Sequence, residues 1–563
     1  MPLNPRHDRQ SGISPSARRK GPVALRNRLT LLFFILAAGT VGGALACVKS
    51  RDAALGERAA RISQGSDLLS FDPYFKLESP SFNIQRNVFD ALTDVDANMK
   101  LAPGLAERWE LKSPTVWEFT LRRGVTFHGG QPFSADDAVY SIRRAMDWKL
   151  SRVKSEIPTV RRVEALGGSL LRVETTMPDA ILPLRLASIL ILNRASCEPA
   201  VRQYGDDWLA THANGTGPYR VLDWRKDVRC ELIANDRFWG RKPTVRRLDF
   251  IPTSSDATRL TALHGGDIDL MINVPPAFVD YAARVGGYRI LKRPGLRLIY
   301  LGLDVGRDKT PGVAASPPNP LKDLRVRRAI AAAVDNRLIV EKIMRGNAVP
   351  ADQLFPPGVI GYDPSIELER PNLELAKKLL NEAGYPGGFT VCLDGTNDRY
   401  VNDAAILQAV ASLLARAGIA VQVNAQPKAS FFPLEERGGC SFFMLGWADT
   451  NGDGAGTFDH LLHTAAPGGG YGESNTSTQY SNPELDRLDE AASREFDPVK
   501  RNALLQAANR LAMHDLVHIP LHFQMDLYAV SNRIQWSPRR DTEVRGLDLK
   551  WADGEKGEVR RVK

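Results

Sequence analysis

The feature that most constrains this chain is a regular alternation of helix and strand between residues 373 and 445. Apolar residues recur at helical spacing over 373–383 and 404–417, and β-prone stretches occupy 389–392, 419–423 and 442–445. Strands separated by helices of this length predict βαβ units, whose helices cover the faces of a doubly wound sheet. Leu298-Ile-Tyr-Leu-Gly-Leu303 adds a continuous apolar run of strand length, which suits a strand buried on both faces. The predicted fold class is α/β. At 563 residues the chain is long enough for two or more cores.

The first half is richer in strands. Trp117-Glu-Phe-Thr-Leu121 alternates apolar and polar residues, Arg123-Gly124 supplies a turn, and Val125-Thr-Phe127 resumes the alternation. Ser134 is a good N-cap with Asp137 three residues on, and Val139, Ile142 and Met146 then point one way on a helix. Residues 81–92 have helical spacing, with Ile84, Val88, Phe89 and Leu92 on one side. Strands follow over 219–224, 230–235 and 247–250, and a helix over 256–263. The glycine-rich Asn214-Gly-Thr-Gly-Pro-Tyr219 is not a phosphate loop, because no lysine-serine/threonine pair follows and no helix starts there. The proline-rich stretch 314–320 reads as the crossing into a second lobe, and an amphipathic helix over 323–337 follows it, with Val326, Ile330 and Val334 on one face.

The formal net charge of +9 would point to an anionic partner, but most of the excess lies before Leu29. Without the first 46 residues about +3 remains, which is no argument for nucleic-acid binding. Residues 29–46 form an uncharged, mostly apolar stretch after that basic segment, and Ala44-Leu45-Ala46 fits the small-x-small rule of a secretory cleavage site. Cys47 then stands where bacterial lipoproteins are acylated, although Ala44 and Leu45 fit that box imperfectly. Ordinary cleavage, lipidation at Cys47 and an uncleaved membrane anchor all stay open. Export makes disulfides chemically accessible to Cys197, Cys230, Cys392 and Cys440. Cys392 and Cys440 lie on strands that could be neighbours, so a bond between them and buried free thiols are both open.

Six blocks, in order, resemble the family 5 extracellular solute-binding proteins, the peptide and oligopeptide receptors that serve ABC importers. Residues 105–144 are similar to the family pattern W…F.LR.GV.FHDG.P..A.DV..S..R, with Gly129 where the family has aspartate. Asn214–Tyr219 resembles its GTGP(Y/F) turn, and residues 236–243 resemble N..Y/FW.G.P. Residues 323–337 resemble D.RVR.A...A.DR, residues 480–486 YSNPE(L/V)D, and Ile519-Pro-Leu-His522 the family's IPLH. Residues 65–73 are similar to the first strand and its (L/F)-D-P turn.

The resemblance covers roughly residues 60–545. It implies a two-lobed periplasmic-binding-protein-like fold of type II, with an extra subdomain and lobes joined by a hinge. Lobe I would hold residues 60–300 and 521–563, with 79–195 as the added subdomain. Lobe II would span 305–518, and residues 1–47 would be the basic N-region and signal peptide. The implied protein is a periplasmic or extracytoplasmic monomer. It captures a small solute, first of all a short peptide, between its lobes and delivers it to the permease subunits of an ABC importer. No cofactor, resident metal or enzyme activity is implied. A nickel or haem carrier on the same scaffold and an exported hydrolase are the rival classes; no GxSxG, HExxH or CxxC run supports the second.

The ligand candidates follow the strand at 441–445, since ligands of open α/β sheets sit beyond the carboxyl ends of strands. Similar peptide receptors bind the peptide's α-ammonium group with an aspartate three residues after the tryptophan of this segment. Here that position is Thr450, with Asp449 one before it and Asp453 three after. The candidate residues are Trp447, Asp449, Thr450 and Asp453, with Tyr471 from the glycine-rich loop 468–473. An acidic surface loop is the plain structural alternative. Whether Asn83 and Arg86 of the first helix face the cleft is open. His514, His518 and His522 are spaced by four, as metal-binding imidazoles on one helix face would be. Pro520 should end that helix before His522, so no metal site is assigned.

Overall fold

The apolar run 298–303 becomes the second half of a long strand, Tyr288–Leu303, in a computed structural model. The structure describes residues 58–75, 78–284, 286–314, 319–367, 370–448, 452–467 and 471–552. The apolar stretch 29–46 and Cys47 lie outside the described residues, as do residues 315–318 of the proline-rich loop. Among the described residues no helix is long and apolar enough to cross a membrane.

Tyr288–Leu303 pairs antiparallel with a second long strand, His518–Ser531, and the pairing breaks register between Pro294 and Leu298. On one side of this break, the sheet continues through Leu270–Ile272, Ala59–Gln64, Arg247–Pro252, Arg229–Ala234 and Tyr219–Arg225. On the other side it continues through Phe442–Trp447 and Thr390–Thr396, and Ala420–Gln426 pairs with the latter. Two separate hydrophobic cores flank the break. One contains Ile62, Phe250 and Tyr528, the other Leu301, Ile330 and Met444. Gly295 lies at the break itself. A Cβ there would come 2.5 Å from Asp526 Oδ2 and 2.8 Å from the Gln524 carbonyl, so no larger residue fits. The outer neighbours of the two paired strands therefore change across 294–298, earlier in the chain than the proline-rich stretch 314–320. Residues 298–303 already lie against Phe442–Trp447.

The expected βαβ units are present. Thr390–Thr396 and Ala420–Gln426 run parallel with the helix Asp403–Ala417 between them. After the helix Lys428–Glu436, Phe442–Trp447 returns parallel to Thr390–Thr396. In the first half, Ala106–Ser113, Val116–Leu121, Leu170–Thr175 and Val160–Ala165 form a separate four-stranded antiparallel sheet. The strand expected at 125–127 shrinks to one bridge between Thr126 and Pro132. The Gly129-Gly130 turn folds the chain straight back, with Phe127 N–H donating to the Gln131 carbonyl at 2.8 Å.

The sequence blocks prove to be packing devices. Gly215 and Gly217 lie against the end of the helix Ser79–Val88, where a Cβ on Gly215 would fall 2.0 Å from the Val88 carbonyl oxygen. Thr216 Oγ1 and Trp239 Nε1 both donate to the buried Asp90, at 2.8 and 2.9 Å. Asp72 of the (L/F)-D-P turn accepts from Tyr74 N–H at 3.0 Å and pairs with Arg144 at 2.7 Å. Asp323 and Asn482 cap the helices Leu324–Ala333 and Pro483–Arg494. After Ser531 the chain returns beside Ser79–Val88, where Val544 N–H donates to Asn83 Oδ1 at 3.0 Å.

Candidate functional site

The register that pairs Leu298 with Trp447 places the next residues back along the strand, Arg297 and Leu296, at the mouth of the break. A cavity of about 290 Å³ opens there, between the two sheet halves. Leu296 and Arg297 belong to its lining at the point where the outer neighbours of the long strands change. One wall is the helix Ser79–Val88, with Phe82, Asn83 and Arg86, together with residues 540–543 of the returning tail. The facing wall comes from the carboxyl ends of Thr390–Thr396 and Phe442–Trp447 and from the helix Lys428–Glu436. This is where an open α/β sheet is expected to hold a ligand. The walls meet around the cavity, with Arg152 3.4 Å from Glu436 and Arg540 Nη2 donating to the Pro357 carbonyl at 2.7 Å.

Local structure fixes each cleft residue. Gly446 has no room for a side chain, because a Cβ would meet Tyr400 at 2.6 Å. Tyr400 thus lies across the strand and donates its hydroxyl to the Gly446 carbonyl at 3.2 Å. Asp403, in the first turn of its helix, accepts from the backbone N–H groups of Arg399 and Tyr400 at 3.0 and 3.1 Å and from Thr396 Oγ1 at 2.7 Å. That carboxylate holds Arg399 at the cleft edge. Glu435 is fixed through its own carbonyl, which accepts from the hydroxyls of Thr476 and Ser477 at 3.0 and 2.9 Å.

The charges of this cleft are unevenly matched. Arg86 pairs with Glu543 at 3.1 Å. Glu156 and His460 face each other at 3.6 Å. Burial works against both charges, but the ion pair outweighs it, raising His460 and lowering Glu156. Arg297 is different. It donates to Ser79 Oγ at 3.3 Å and has no carboxylate within ion-pair distance among the described residues. Burial, then the neighbouring Arg399 guanidinium, lowers it to about 10. Arg399 lies 5.3 Å over the Tyr400 ring and also lacks a carboxylate partner among the described residues. Glu435 is buried without an opposite charge, and burial, then Glu436, pushes its carboxyl up to about 8. Among the described residues the cleft therefore holds two guanidiniums without counterions and one carboxylic acid that stays protonated near neutral pH.

The residues singled out from sequence scatter. Trp447 lines the cavity, its ring 5.1 Å from His460, and its buried Nε1–H has no partner among the described residues. Asn83 and Arg86 line it too. Asp449 and Thr450 lie outside the described residues; they directly follow Ala448, a lining residue. Asp453 does not line the cleft. It is buried in a two-pronged ion pair with Arg501, one arm 2.8 Å, and accepts from Ala455 N–H at 3.0 Å. Tyr471 is also off the cleft. It stacks on His463 at 4.1 Å, beside the buried Arg185–Asp459 pair. Linear spacing could not separate an aspartate that meets solute from one that meets Arg501, since the partner lies far away in sequence. Arg297, Arg399 and Glu435 went unnoticed for the same reason.

The histidines do not converge. His514 sits exposed in the last turn of Pro498–Asp515, bonded to Asp515, while His518 and His522 are on the strand His518–Ser531. Burial lowers these two to about 3 and about 4. Among the described residues no group of three or more His, Cys, Asp or Glu side chains is arranged to hold a metal ion. Cys197, Cys230, Cys392 and Cys440 are free thiols.

The fold that carries this cleft is shared with a solved periplasmic binding protein. The chain is similar to the dipeptide-binding protein of Escherichia coli (strain K12), at 26% identity over 440 residues, which span 74% of this chain and 79% of the relative. It is 23% identical to heme-binding protein A of Haemophilus influenzae (strain ATCC 51907 / DSM 11121 / KW20 / Rd) over 496 residues, 83% of this chain and 87% of the relative. Among solved structures, the periplasmic binding protein DppA from Helicobacter pylori, in complex with the peptide STSA, shares the fold with a TM-score of 0.78. That match is 24% identical and covers 90% of this chain and 99% of the other. The sequence profile of the bacterial extracellular solute-binding proteins, family 5 Middle, matches residues 100–469. With most of the chain inside that profile and its architecture in agreement, this protein belongs to the family 5 bacterial extracellular solute-binding proteins.

Proposed function

We propose that this protein is a receptor for short peptides, which it holds between its lobes and hands to the permease subunits of an ABC importer. The observation that carries this reading is the set of charges in the cleft lining: Arg297 and Arg399, without a carboxylate partner among the described residues, and the buried Glu435 share one lining with Trp447 and Phe82. A zwitterionic peptide supplies a carboxylate for the guanidiniums and an ammonium group for Glu435, each by charge-assisted hydrogen bonds. A volume of about 290 Å³ stands at the low end of small-molecule pockets, roughly 300–1,000 Å³, and suits two or three residues rather than a long peptide. Asp449 and Thr450, next to the lining residue Ala448, are further partners for the ammonium end.

Capture works by hinge closure about residues 294–298 and 523–525, and ligand favours the closed form only by its preference for it. On this reading lobe I comprises residues 60–294 with 525–552, and carries the subdomain 79–195; lobe II comprises 298–523. The chain acts as an extracytoplasmic monomer, exported through its basic N-region and apolar stretch, and transforms nothing. The nickel reading lacks a supporting cluster of three or more His, Cys, Asp or Glu side chains among the described residues.

Native mass spectrometry of the purified protein tests this, together with thermal shift on a mixture of dipeptides and tripeptides. A co-purified mass of a few hundred daltons, or a raised Tm, is expected, with the peptides recovered intact. No shift at millimolar peptide, or a bound metal or haem instead, overturns the peptide reading.

A further inference from the structure

Arg297 comes from the hinge and Arg399 from lobe II, yet they face one cavity, close enough for the Arg399 guanidinium to disfavour the charge on Arg297. The acid nearest to satisfying Arg297 is Asp526, on the opposite long strand at the hinge. It does not come within ion-pair distance, and its Oδ2 has no hydrogen-bond partner. Burial pushes Asp526 up to about 7, against the pull of Arg297 and Arg293, so it supplies only part of a negative charge at neutral pH. The other acids of the lining are engaged elsewhere: Glu156 with His460, on which Glu473 also acts, Glu436 with Arg152, Glu543 with Arg86, Asp541 with Arg539, and Glu78 accepting from Ser81 Oγ at 3.1 Å. Glu435 has no cation beside it. One ligand carboxylate would leave one of the two arginines uncompensated in a closing, water-poor cavity, where an unpaired charge is costly.

We propose that Arg297 and Arg399 form a two-carboxylate subsite, and that this receptor prefers short peptides ending in an acidic residue. This rests on the peptide reading above and narrows it. The α-carboxylate and the side-chain carboxylate of a C-terminal Glu or Asp occupy one guanidinium each. Ser79 Oγ, 3.3 Å from Arg297, steadies that arginine from lobe I, so the subsite completes only when the lobes close. Arg297 is then the specificity-determining residue, because it supplies the second positive charge from the hinge floor.

Isothermal titration calorimetry with Ala-Glu and its isosteric neutral partner Ala-Gln tests this directly. The purified protein should bind Ala-Glu about tenfold tighter or more, the scale of one charge-assisted hydrogen bond. Arg297→Gln should lose that preference, binding Ala-Glu and Ala-Gln within roughly threefold of each other. Arg297→Lys, which keeps the charge without the fork, should retain part of the preference and shows that the site survives substitution. Equal affinities in the parent, or a preference that survives in Arg297→Gln, overturns the subsite. If both dipeptides fail but glutarate binds in an Arg297-dependent way, the two-carboxylate site stands and the peptide reading falls. If none of the three probes binds, both are overturned.

Discussion

In the scaffold, several buried charges come in pairs. Arg144 lies 2.7 Å from Asp72, Arg185 2.6 Å from Asp459, and Asp453 grips Arg501 from both oxygens. In the cleft, Arg297, Arg399 and Glu435 face no opposite charge within ion-pair distance among the described residues. The two regions share one chain and one sheet, so composition does not explain the contrast. Paired charges hold elements in register, and each partner is lost at high cost. Unpaired ones are tolerated where an outside molecule supplies the partner, which is why perturbed groups gather at binding sites. The contrast shows why the sequence motifs of this chain point to its scaffold rather than to its ligand.

The largest effect that would sharpen this contrast is expected at Asp453. Asp453→Ala leaves Arg501 buried without a partner and should cost about 3–5 kcal/mol, read from urea denaturation, with peptide affinity of the folded fraction unchanged. A variant that folds normally but no longer binds peptide would return Asp453 to the ligand site. Gly215→Ala comes next. Its methyl would collide with the Val88 carbonyl, and a loss of about 1–3 kcal/mol is expected in the same assay.

On the cleft side the signs should reverse. Arg399→Gln should leave stability within about 0.5 kcal/mol while weakening peptide binding roughly tenfold or more by calorimetry. A strong loss of stability with intact binding would make Arg399 a scaffold residue after all.

A further effect, read through pH, concerns Glu435. Its carboxyl rises from an ordinary 4.5 to about 8, so the folded state keeps a proton that the unfolded chain has lost. The stability this provides is fully present below about 4.5 and is lost as pH rises through about 8, by at most ~1.4 kcal/mol per pH unit. Denaturation midpoints of the parent should therefore decline over that window relative to those of Glu435→Gln. Parallel curves for the two proteins would place Glu435 in an ordinary solvated setting.

Much of the architecture was legible because it rests on local rules. Helical periodicity at 373–383 and 404–417, strand alternation at 117–121 and the N-cap Ser134 need only neighbouring residues to act. Where a long-range partner decided, local reading failed. Thr126 alternates like a strand residue but meets only Pro132, and the lobe crossing hides inside a strand that reads as continuous. In the site, Trp447 was legible because a strand's carboxyl end is a local feature. Asp453 and Tyr471 were drawn to it by sequence proximity alone, and folding sends them to Arg501 and His463.

By itself, the sequence determined the α/β class, the order of the elements and the family, since periodicity, caps and tight glycine turns act over a few residues. Only the tertiary structure decided which charges are matched and which wait for a solute. Matching is a matter of distance in space, and Arg297, Arg399 and Glu435 share a cavity only after the outer neighbours of two long strands change across Gly295.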